Sequence, residues 1–585
     1  MAQTLDSVQQ MLINEVNKDN LMEYTKNIAK EVRLSGTEEE LRSFKYVQSK
    51  LEEFGVETSL IFSDAYISLP GNAELSVNNQ SFACITHTLS TPTPVDGIDG
   101  ELVYVGKAIS PDYQTIDVRG KVALLDGLAI PGAVAKAQQA GALATVFINA
   151  KHTHEMIVSP VWGNPTTENV NLLPKIPVAS VNYGNGNKIK QLIAEHENTT
   201  VSLKTEVDTG WRKIPLLTAE IKGQEQSDDF VLFSGHIDSW HYGAMDNGSA
   251  DAAMIEVARI LGQHRDKLKR TLRLAFWSGH SHGRYAGSAW YCDEHWEELH
   301  DHCVMHINID SVGGKGATIL SEGNCMAETK DLAAKSIKVI TNVDYEGSRF
   351  GRAGDQSFWG PGVPSLFMGL SEQPQSDDPA SEAFSQLFGA GKGGGFGWWW
   401  HTTEDTVDKI DPENLERDCK IYVSIVYQAC SEQLYPINQL AAVQELKDIL
   451  LHYQQLAGQE LSFTRSIDRI TQLEEEVEAF NQFIQNEMTE QDISKVNQMI
   501  KRLSKLLVPL NYVNGNPFQH DLAMKQAPLP LLGKVGQLAA AEKGSDEYYQ
   551  LKTELKRNVN QVNYTIKNAF ELVQQAKNHL KKKTC

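Results

Sequence analysis

The stretch Phe233-Ser-Gly-His-Ile-Asp-Ser-Trp-His-Tyr-Gly-Ala-Met-Asp-Asn-Gly-Ser249 decides how the rest of the sequence is interpreted. An apolar run at 230–233 predicts a buried strand that delivers His236 and Asp238 at its carboxyl end, and Asp246 follows in a glycine-rich loop. Open α/β sheets bind ligands beyond the carboxyl ends of their strands. An imidazole and carboxylates in such a crevice are good ligands for a divalent metal. The alternative is that these residues only cap the helix that follows.

The sequence around this stretch alternates between strands and helices. Such alternation from 215 to 435 predicts a parallel or mixed sheet with helices on both faces. The predicted strands are 217–222, 230–235, 271–277, 304–310 and 365–369, and the predicted helices are 249–262, 287–299, 330–339 and 414–434.

The flanking regions have different textures. Residues 18–54 predict two amphipathic helices with a helix-start signal at Ser35 or Thr37, followed by a short strand at 56–62. Residues 64–207 contain short β-branched runs divided by Gly, Pro and Asp, which indicate a small β-rich domain with strands at 120–125, 144–149 and 176–181. From 436 the chain is almost wholly helical in pattern.

Composition limits the class of protein. A chain of 585 residues exceeds a single core and should form roughly three or four domains. A net charge of −21 argues against a surface for nucleic acid or for an anionic membrane. No stretch approaches the roughly 18 uninterrupted apolar residues of a membrane-spanning helix. The first residues lack a secretory pattern, and the seven cysteines are scattered without a CxxC pair, so we expect a cytoplasmic protein.

Metal-competent residues occur at four places in the α/β region, most of them at strand ends. Any one of them has a simple structural explanation as a cap or a hydrogen-bonded loop residue. Four in one sheet domain favour a metal site. The four are His236 with Asp238 and Asp246, then His280-Ser281-His282 after the strand at 271–277, then Asp310, and finally His401.

The order of these residues resembles the zinc peptidase family of aminopeptidase Y and glutamate carboxypeptidase, in the branch that contains the transferrin receptor. That family carries a strand-borne H-x-D, a bridging Asp about ten residues on, a Glu-Glu pair, N-x-D and a late H-T-x-x-D-T. The segment Gly351-Arg-Ala-Gly-Asp-Gln-Ser-Phe358 also resembles the family. The motifs appear here as His236-Ile-Asp238, Asp246, His280-Ser281, Asn308-Ile-Asp310 and His401-Thr-Thr-Glu-Asp405-Thr406.

The resemblance implies an α/β, mixed-sheet, phosphorylase/hydrolase-like metallopeptidase fold. Residues 1–63 would be the N-terminal part of the peptidase domain, and 208–435 its catalytic part. Residues 64–207 would be an inserted β-rich protease-associated domain. Residues 436–585 would be a transferrin-receptor-like helical bundle domain, through which we expect the chain to form a homodimer.

The resemblance also implies roles for the site residues. His236 and Asp310 would bind one metal, His401 the other, and Asp246 would bridge the two, while Asp238 would orient His236. In relatives the first Glu of the pair is the general base and the second is a ligand. Here His280 and Ser281 stand at those positions, so both glutamates are absent.

Three outcomes follow from that replacement. The site can hold one metal on His236, Asp246 and Asp310, with an open position for water. Alternatively, His280 or His282 replaces the lost carboxylate and restores a second metal site. Zinc is the first expectation for one or two ions, and a site rich in imidazole leaves iron, nickel, cobalt and manganese as alternatives. In the third outcome the site is inactive.

We therefore expect a metal-dependent hydrolase that acts on a peptide or small amide-like substrate, as aminopeptidases and carboxypeptidases do. His280 is the expected general base and His282 the second candidate, because an imidazole accepts a proton near neutral pH. Trp240 and His241 lie between ligand positions and are candidates to line the substrate cleft. The competing hypothesis is a catalytically inactive homologue that acts as a binding or scaffold protein.

Overall fold

The chain is considered as a computed structural model in which residues 6–225, 227–377, 381, 384 and 393–581 are described. The described helices are α1 Ser7–Asn14, α2 Lys18–Ile28, α3 Glu38–Glu53, α4 Pro131–Gln139, α5 Tyr183–Glu195, α6 Ser249–Gln263, α7 His280–Gly283, α8 Ala286–Glu294, α9 Trp296–His302, α10 Lys330–Thr341, α11 Pro412–Ser431, α12 Gln439–Ala457, α13 Thr464–Asn486, α14 Ile493–Tyr512, α15 Val535–Ala540 and α16 Asp546–Lys581. The described strands are β1 Glu57–Val77, β2 Gln80–Phe82, β3 Cys84–Thr86, β4 Ile98–Lys107, β5 Ser110–Pro111, β6 Val122–Asp126, β7 Ala144–Ile148, β8 Val178–Val181, β9 Thr200–Ile221, β10 Phe230–His236, β11 Thr271–Trp277, β12 Cys303–Ile309, β13 Asn324–Cys325 and β14 Ser365–Met368.

The central sheet positions the candidate site. Strands β14, β12, β10 and β11 lie side by side and parallel, and β9 joins β11 antiparallel. Every residue of β10 and β12 is buried. Strands covered on both faces need apolar side chains throughout, which explains why continuous apolar runs predicted them correctly.

A long antiparallel ribbon links this sheet to a second one. Strands β1 and β9 pair from Glu57 with Glu220 to Val77 with Val201. The prediction of a short strand at 56–62 was therefore wrong in length. The register shifts between Pro70 and Ala73, and the interrupted pattern there hid the continuation. Beyond the ribbon, β4, β6, β7 and β8 run parallel to one another, which confirms the three strands predicted in this region.

Helices cover the central sheet. Helix α3 begins after Thr37, whose side chain accepts a hydrogen bond from the N–H of Glu40, as the start signal predicted. Helix α6 is buried along nearly its whole length between the sheet and its neighbours. The single helix predicted at 287–299 is instead two, α8 and α9, because His295 leaves the helical region with φ −117° and ψ 23°.

The C-terminal part is helical. Helix α16 packs against α13 and α14, and α12 packs against α13. Its core is apolar, with Leu473, Phe480 and Val562 almost fully buried. The architecture confirms the predicted class of a mixed α/β fold with an inserted domain and C-terminal helices. The exact domain bounds remain predictions. Among the described helices, none is long and apolar enough to cross a membrane.

Candidate metal centre

The carboxyl ends of three adjacent parallel strands meet at the site. Strand β10 ends on His236, and Asp310 follows the last residue of β12. Strand β11 ends at Trp277, and Gly279, with φ +72°, turns the chain into the short helix α7 that begins at His280. The sequence order thus brings residues that are far apart in the chain to one edge of the sheet.

A tight loop brings Asp246 back toward β10. A Cβ on Gly243, which has φ +51°, would lie 2.3 Å from the carbonyl oxygen of Asp246, so only glycine fits there. The carboxylate of Asp405 accepts hydrogen bonds from the backbone N–H groups of Met245 and Asp246, at 2.9 and 3.0 Å. Burial raises the pKa of Asp405 to about 7, against the opposing effect of these two bonds. Asp405 therefore fixes the loop that carries Asp246.

His236 lies at the centre of the arrangement. Its Nδ1 donates to the carbonyl oxygen of Asp238 at 2.9 Å, which directs Nε2 into the site. Nε2 is 3.2 Å from Asp246 Oδ1 and 3.5 Å from Asp310 Oδ2. Yet it is buried without a well-formed hydrogen bond. Burial lowers the pKa of His236, but the carboxylates, led by Asp310, outweigh it and hold the pKa well above its usual value.

These separations fit a metal ion. Tetrahedral zinc with bonds of about 2.0–2.2 Å to nitrogen and oxygen places neighbouring ligand atoms roughly 3.3 Å apart. A buried imidazole nitrogen without a hydrogen-bond partner, facing two carboxylates at such distances, is a donor set suited to a divalent cation.

Asp246 also contacts the fourth predicted ligand. Its Oδ2 is 3.0 Å from Nε2 of His401, while its Oδ1 faces His236. Burial raises the pKa of Asp246, but the two imidazoles outweigh it and lower the pKa below the usual range. His401 has a left-handed backbone, with φ +57°, and its Nδ1 donates to the carbonyl oxygen of Glu155 at 2.7 Å. Asp246 thus lies between the two histidines, where a bridging ligand would lie.

The carboxylate of Asp238 has a different set of partners from those expected. Its Oδ1 is 3.6 Å from Nδ1 of His236, whose hydrogen bond goes to the Asp238 carbonyl instead. The carboxylate accepts from Ser35 Oγ at 2.7 Å, from the N–H of Ser281 at 2.8 Å and from the N–H of His280 at 3.3 Å. Asp238 therefore holds the turn that presents His280.

His280 is oriented by a carboxylate that the sequence did not single out. Its Nδ1 donates to Asp355 Oδ2 at 2.8 Å, and Ser288 Oγ donates to the other oxygen of Asp355 at 2.7 Å. With the proton on Nδ1, the lone pair is on Nε2. Asp355 lies within the segment 351–358, which resembles the stretch before the final histidine of the peptidase family. That resemblance was the one sequence signal that could have pointed to Asp355.

Proximity and orientation assign different roles to His280. His236, His280 and Asp310 offer ligand atoms that all lie within 4.8 Å of one another. However, the His236 and His280 rings stack with centroids 3.7 Å apart and planes only 12° apart. A metal bound to an imidazole lies near the plane of that ring, about 2 Å from the nitrogen. Two nearly parallel ring planes at this spacing cannot both contain one ion. An ion in the ring plane of His236 would therefore not be bound by His280.

The other two residues of this turn lie differently. The Nδ1 of His282 accepts from the N–H of Ser35 at 3.3 Å, and its buried Nε2 has no hydrogen-bond partner. Burial lowers the pKa of His282 to about 4. Ser281 brings no charge, and among the described residues Asp246 is the one acidic side chain within 4.0 Å of a His401 ring nitrogen. The second ion position is therefore poor in ligands.

Two further residues near the site had no sequence signal. Arg33 is fully buried and donates to the carbonyl oxygens of Ile28, Ile237, Tyr242 and Gly243, which join the end of α2 to the loop before Asp246. Glu155 comes from the inserted domain and lies against His401. Burial raises the pKa of Glu155 to about 8.

Comparison with known proteins gives the chain a family context. Residues 217–426 match the model described as Peptidase family M28, and residues 98–189 match that of the PA domain. The chain thus contains a PA domain followed in the sequence by an M28 peptidase domain.

Curated relatives match parts of the chain. A probable glutamate carboxypeptidase, VP8, of Zea mays is 26% identical over 349 residues, which cover 48% of this chain and 49% of the relative. Carboxypeptidase Q of Xenopus laevis is 27% identical over 40% of this chain and 50% of its own length. Aminopeptidase YwaD of Bacillus subtilis is 23% identical over 69% of this chain and 82% of its own length. The chain therefore spans about half the length of the first two.

Solved structures share the fold. An aminopeptidase from Aneurinibacillus sp. strain AM-1 superposes with a TM-score of 0.53 at 21% identity, covering 72% of this chain and 96% of its own. A peptidase M28 precursor from Shewanella amazonensis superposes with a TM-score of 0.57 at 19% identity, covering 73% of this chain and 97% of its own. BSAP, a zinc aminopeptidase from Bacillus subtilis, superposes with a TM-score of 0.55 at 19% identity, covering 72% of this chain and 97% of its own.

Proposed function

We propose that this chain is a metal-dependent hydrolase of a peptide or amide-like bond. The observation that carries the proposal is the convergence of two carboxylates on the buried Nε2 of His236. His236, Asp246 and Asp310 would hold one divalent ion, with zinc as the first candidate because His and Asp in a closed, buried setting suit it. The M28 relatives support the same reaction class.

A bound ion of this kind supplies Lewis acidity, which acidifies a coordinated water and polarises a carbonyl group. The chain supplies the proton acceptor. His280 presents the lone pair of Nε2 beside His236, while Asp355 holds the proton on Nδ1 and stabilises the ring once Nε2 is protonated. Such a pair reproduces, with an imidazole and a carboxylate, the base that a single glutamate provides in relatives.

The geometry favours His280 over His282 as this acceptor. His280 stacks directly on His236, whereas Nδ1 of His282 is engaged by Ser35. Burial also lowers the pKa of His282 to about 4, which makes it a poor base near neutral pH. We assign His280 as the general base and give His282 a packing role against Trp240.

One observation favours the competing function, an inactive homologue that binds partners. Neither glutamate of the family pair is present, and Ser281 leaves His401 with Asp246 alone as a nearby acidic group among the described residues. A decayed site would have no reason to orient His280 with a buried carboxylate. The Asp355 contact therefore supports the enzyme over the scaffold.

Elemental analysis combined with a hydrolysis assay tests the proposal. The purified full chain should contain one equivalent of a divalent metal and hydrolyse amino-acid amides or short peptides. His236→Ala should lose both properties, whereas His295→Ala, a change at a partly exposed histidine that pairs with Glu298, should keep both. A wild-type protein without stoichiometric metal and without activity would leave the scaffold as the remaining function.

We also propose that the helical part associates two copies of the chain. Tyr549 and Tyr564 on α16 are 59% and 64% exposed, and a spacing of 15 residues places them about four turns apart on a similar face. Light scattering on the wild type and on Tyr549→Lys/Tyr564→Lys tests this, with a dimer expected for the first and a monomer for the second. A monomeric wild type would refute it. The cytoplasmic location remains a prediction from the sequence.

A further inference from the structure

A loop of the inserted domain reaches the metal centre. The N–H of Glu155 donates to the carbonyl oxygen of His401 at 2.9 Å, and the carbonyl oxygen of Glu155 accepts from Nδ1 of His401 at 2.7 Å. These two bonds fix the backbone of Glu155 against a candidate metal ligand. The Glu155 side chain is therefore held at a defined place beside the site, although it comes from another domain.

The carboxyl group of Glu155 is buried without a close cation among the described residues. Its side chain is 10% exposed, and its Oε2 has no hydrogen-bond partner. The nearest nitrogens are His241 Nε2 at 3.7 Å and His87 Nδ1 at 3.9 Å, both beyond hydrogen-bond distance. Among the residues that the structure describes, no Lys or Arg forms an ion pair with it.

His87 cannot neutralise this carboxyl group. Its Nδ1 already accepts a hydrogen bond from the N–H of Met156 at 3.2 Å, so that nitrogen carries no proton to donate. Its Nε2 contacts Ser180 Oγ at 2.6 Å. A buried acid that lacks a partner is costly for the fold, and such groups commonly mark a place where a ligand completes the hydrogen bonds.

Trp240 shares neighbours with Glu155: it directly precedes His241, whose Nε2 lies 3.7 Å from the Glu155 carboxyl group. Trp240 packs against the ring of His401, with centroids 5.4 Å apart, and its buried indole N–H also lacks a partner. The same residue belongs to an apolar cluster with Leu89 and Ile157. Glu155 and Trp240 both lie beside His401, so they can bind one ammonium ion together. The ammonium would stabilise the ionised form of the carboxyl group on one side and contact the π face of the indole on the other.

We propose that Glu155 and Trp240 form a subsite that binds an ammonium group of the substrate beside the metal centre. The inference rests in part on the proposed function, because it specifies which amides would be cleaved: those that carry a positively charged amine near the scissile bond. The amine can be the α-amino group of the first residue or the end of a lysine side chain. The inserted domain would thereby determine substrate choice.

A second metal ion is a poorer fit to the same carboxyl group. A metal site needs three or more ligands from His, Cys, Asp or Glu, and among the described residues Glu155 belongs to no such cluster. An ammonium ion needs only one carboxylate and an aromatic face. Its N–H groups would also satisfy the free oxygen of Glu155.

Calorimetric titration of the full-length, metal-loaded protein tests the proposal with three small alcohols that it cannot hydrolyse. Leucinol carries an α-ammonium, 6-aminohexan-1-ol carries an ammonium at the distance of a lysine side chain, and 4-methylpentan-1-ol is neutral. We expect one of the two amines to bind at least tenfold more tightly than the neutral alcohol, and the identity of that amine shows the source of the ammonium.

Glu155→Gln should remove this preference while leaving the metal content and the binding of the neutral alcohol unchanged. The matched control Glu197→Gln, at an exposed position of the same domain, should keep the preference. If Glu155→Gln does not fold, Glu155→Asp replaces it, with a reduced preference expected because the carboxylate retracts by one methylene. An unchanged preference in the variant that folds, or equal binding of amines and neutral alcohol by the wild type, overturns the proposal.

These outcomes are separate from those of the hydrolase proposal. If the protein binds the amine through Glu155 but does not cleave amides, the subsite proposal is supported and the hydrolase proposal is contradicted. If it cleaves amides and the amine preference does not depend on Glu155, the hydrolase proposal is supported and the subsite proposal is contradicted.

Discussion

The imidazole of His280 occupies a position where related peptidases are expected to carry a carboxylate. It donates through Nδ1 to Asp355 and stacks on His236. Its neighbour Ser281 is uncharged, so the site has one acidic group fewer for a second ion. In the proposed enzyme the two substitutions would act in different ways: His280 would change the proton acceptor, and Ser281 would reduce the number of metal ligands.

Replacement of His280 tests the first change. We expect His280→Gln to lower kcat by roughly 10²–10⁴-fold, the usual contribution of a general base. Metal content should stay at the wild-type value, because the ring planes prevent His280 from binding the same ion as His236. The measurement is steady-state kinetics together with elemental analysis. Loss of the metal in this variant would show that His280 is a ligand.

Asp355 has a role that a conservative variant can isolate. In Asp355→Asn the amide N–H group can donate to Nδ1 of His280, which moves the proton to Nε2 and removes the lone pair from the site. We expect a fall in kcat of about 10²-fold or more, with little change in KM and an altered pH profile. A purely structural role would instead lower the melting temperature and leave the pH profile unchanged.

Much of the candidate site could be predicted from the sequence, because its residues occur in a recognisable order at strand ends and in the loops beside them. His236, Asp246, Asp310 and His401 meet at one edge of the sheet as their spacing suggested. Two residues that support the site could not be predicted. Arg33 and Asp355 lie far away in the sequence and meet the site only through tertiary packing.

At the scale of elements, the end of α2 and the loop after β10 are joined by one guanidinium. The fork of Arg33 donates to the carbonyl oxygen of Ile28 at the end of α2 at 3.1 Å, and to those of Ile237 and Gly243 in the loop at 2.8 and 3.0 Å. The loop carries Asp238 and precedes Asp246. Correct placement of the candidate metal ligands thus depends on a side chain that touches none of them.

Arg33→Lys should therefore weaken the fold and the metal site together. An ammonium cannot replace the planar fork, and each buried carbonyl group left without a donor costs about 1–3 kcal/mol. We expect a lower melting temperature and weaker zinc binding in a competition titration. The control Arg42→Lys, at an exposed ion pair with Glu31, should change neither by a measurable amount. Unchanged zinc affinity in Arg33→Lys would contradict this account of the loop.

Strand β12 carries a buried histidine that should make the protein sensitive to acid. Burial lowers the pKa of His306 from 6.5 to about 3, while its Nε2 contacts Ser234 Oγ at 2.8 Å. Between these pH values the unfolded chain binds more protons than the folded chain, so stability falls as the pH drops below 6.5. At pH 5 the loss amounts to about 2 kcal/mol.

His306→Gln should remove this part of the pH dependence. Unfolding in urea at pH 7 and pH 5 measures it: the wild type should lose about 2 kcal/mol more than the variant between the two values. The comparison uses the change with pH, so a constant difference in stability between the proteins does not affect it. Equal losses in both proteins would show that His306 titrates normally in the folded state.

The strands of the central sheet could be predicted because burial on both faces favours apolar residues at most positions. The long ribbon of β1 and β9 could not, because its polar, half-exposed residues and the irregularity at Pro70 resemble loops. The division of α8 from α9 had no sequence signal either.

At the scale of the whole molecule, two domains build the site together. The inserted domain contributes Glu155, whose backbone pairs with His401, and Trp162, whose indole N–H donates to Ser357 Oγ at 2.9 Å. Such contacts between domains depend on the relative placement of two folded units, which a linear pattern does not encode. The sequence alone therefore predicted a small β-rich domain in this region but missed its approach to the candidate metal centre.

Metal removal should destabilise the whole assembly around the central sheet. An ion that binds only the folded chain stabilises it by about 2.7 kcal/mol at a hundredfold excess over its Kd. We expect a chelator to lower the melting temperature of the wild type and to leave that of His236→Ala unchanged. A chelator effect of the same size in both proteins would place the ion elsewhere.

Anomalous diffraction from zinc-loaded crystals tests the central claim most directly. The account predicts one strong peak per chain, within coordination distance of His236 Nε2 and of carboxylate oxygens from Asp246 and Asp310, with His280 still bonded to Asp355 and outside the ligand set. No peak at these residues, or a peak coordinated by His280, would contradict it.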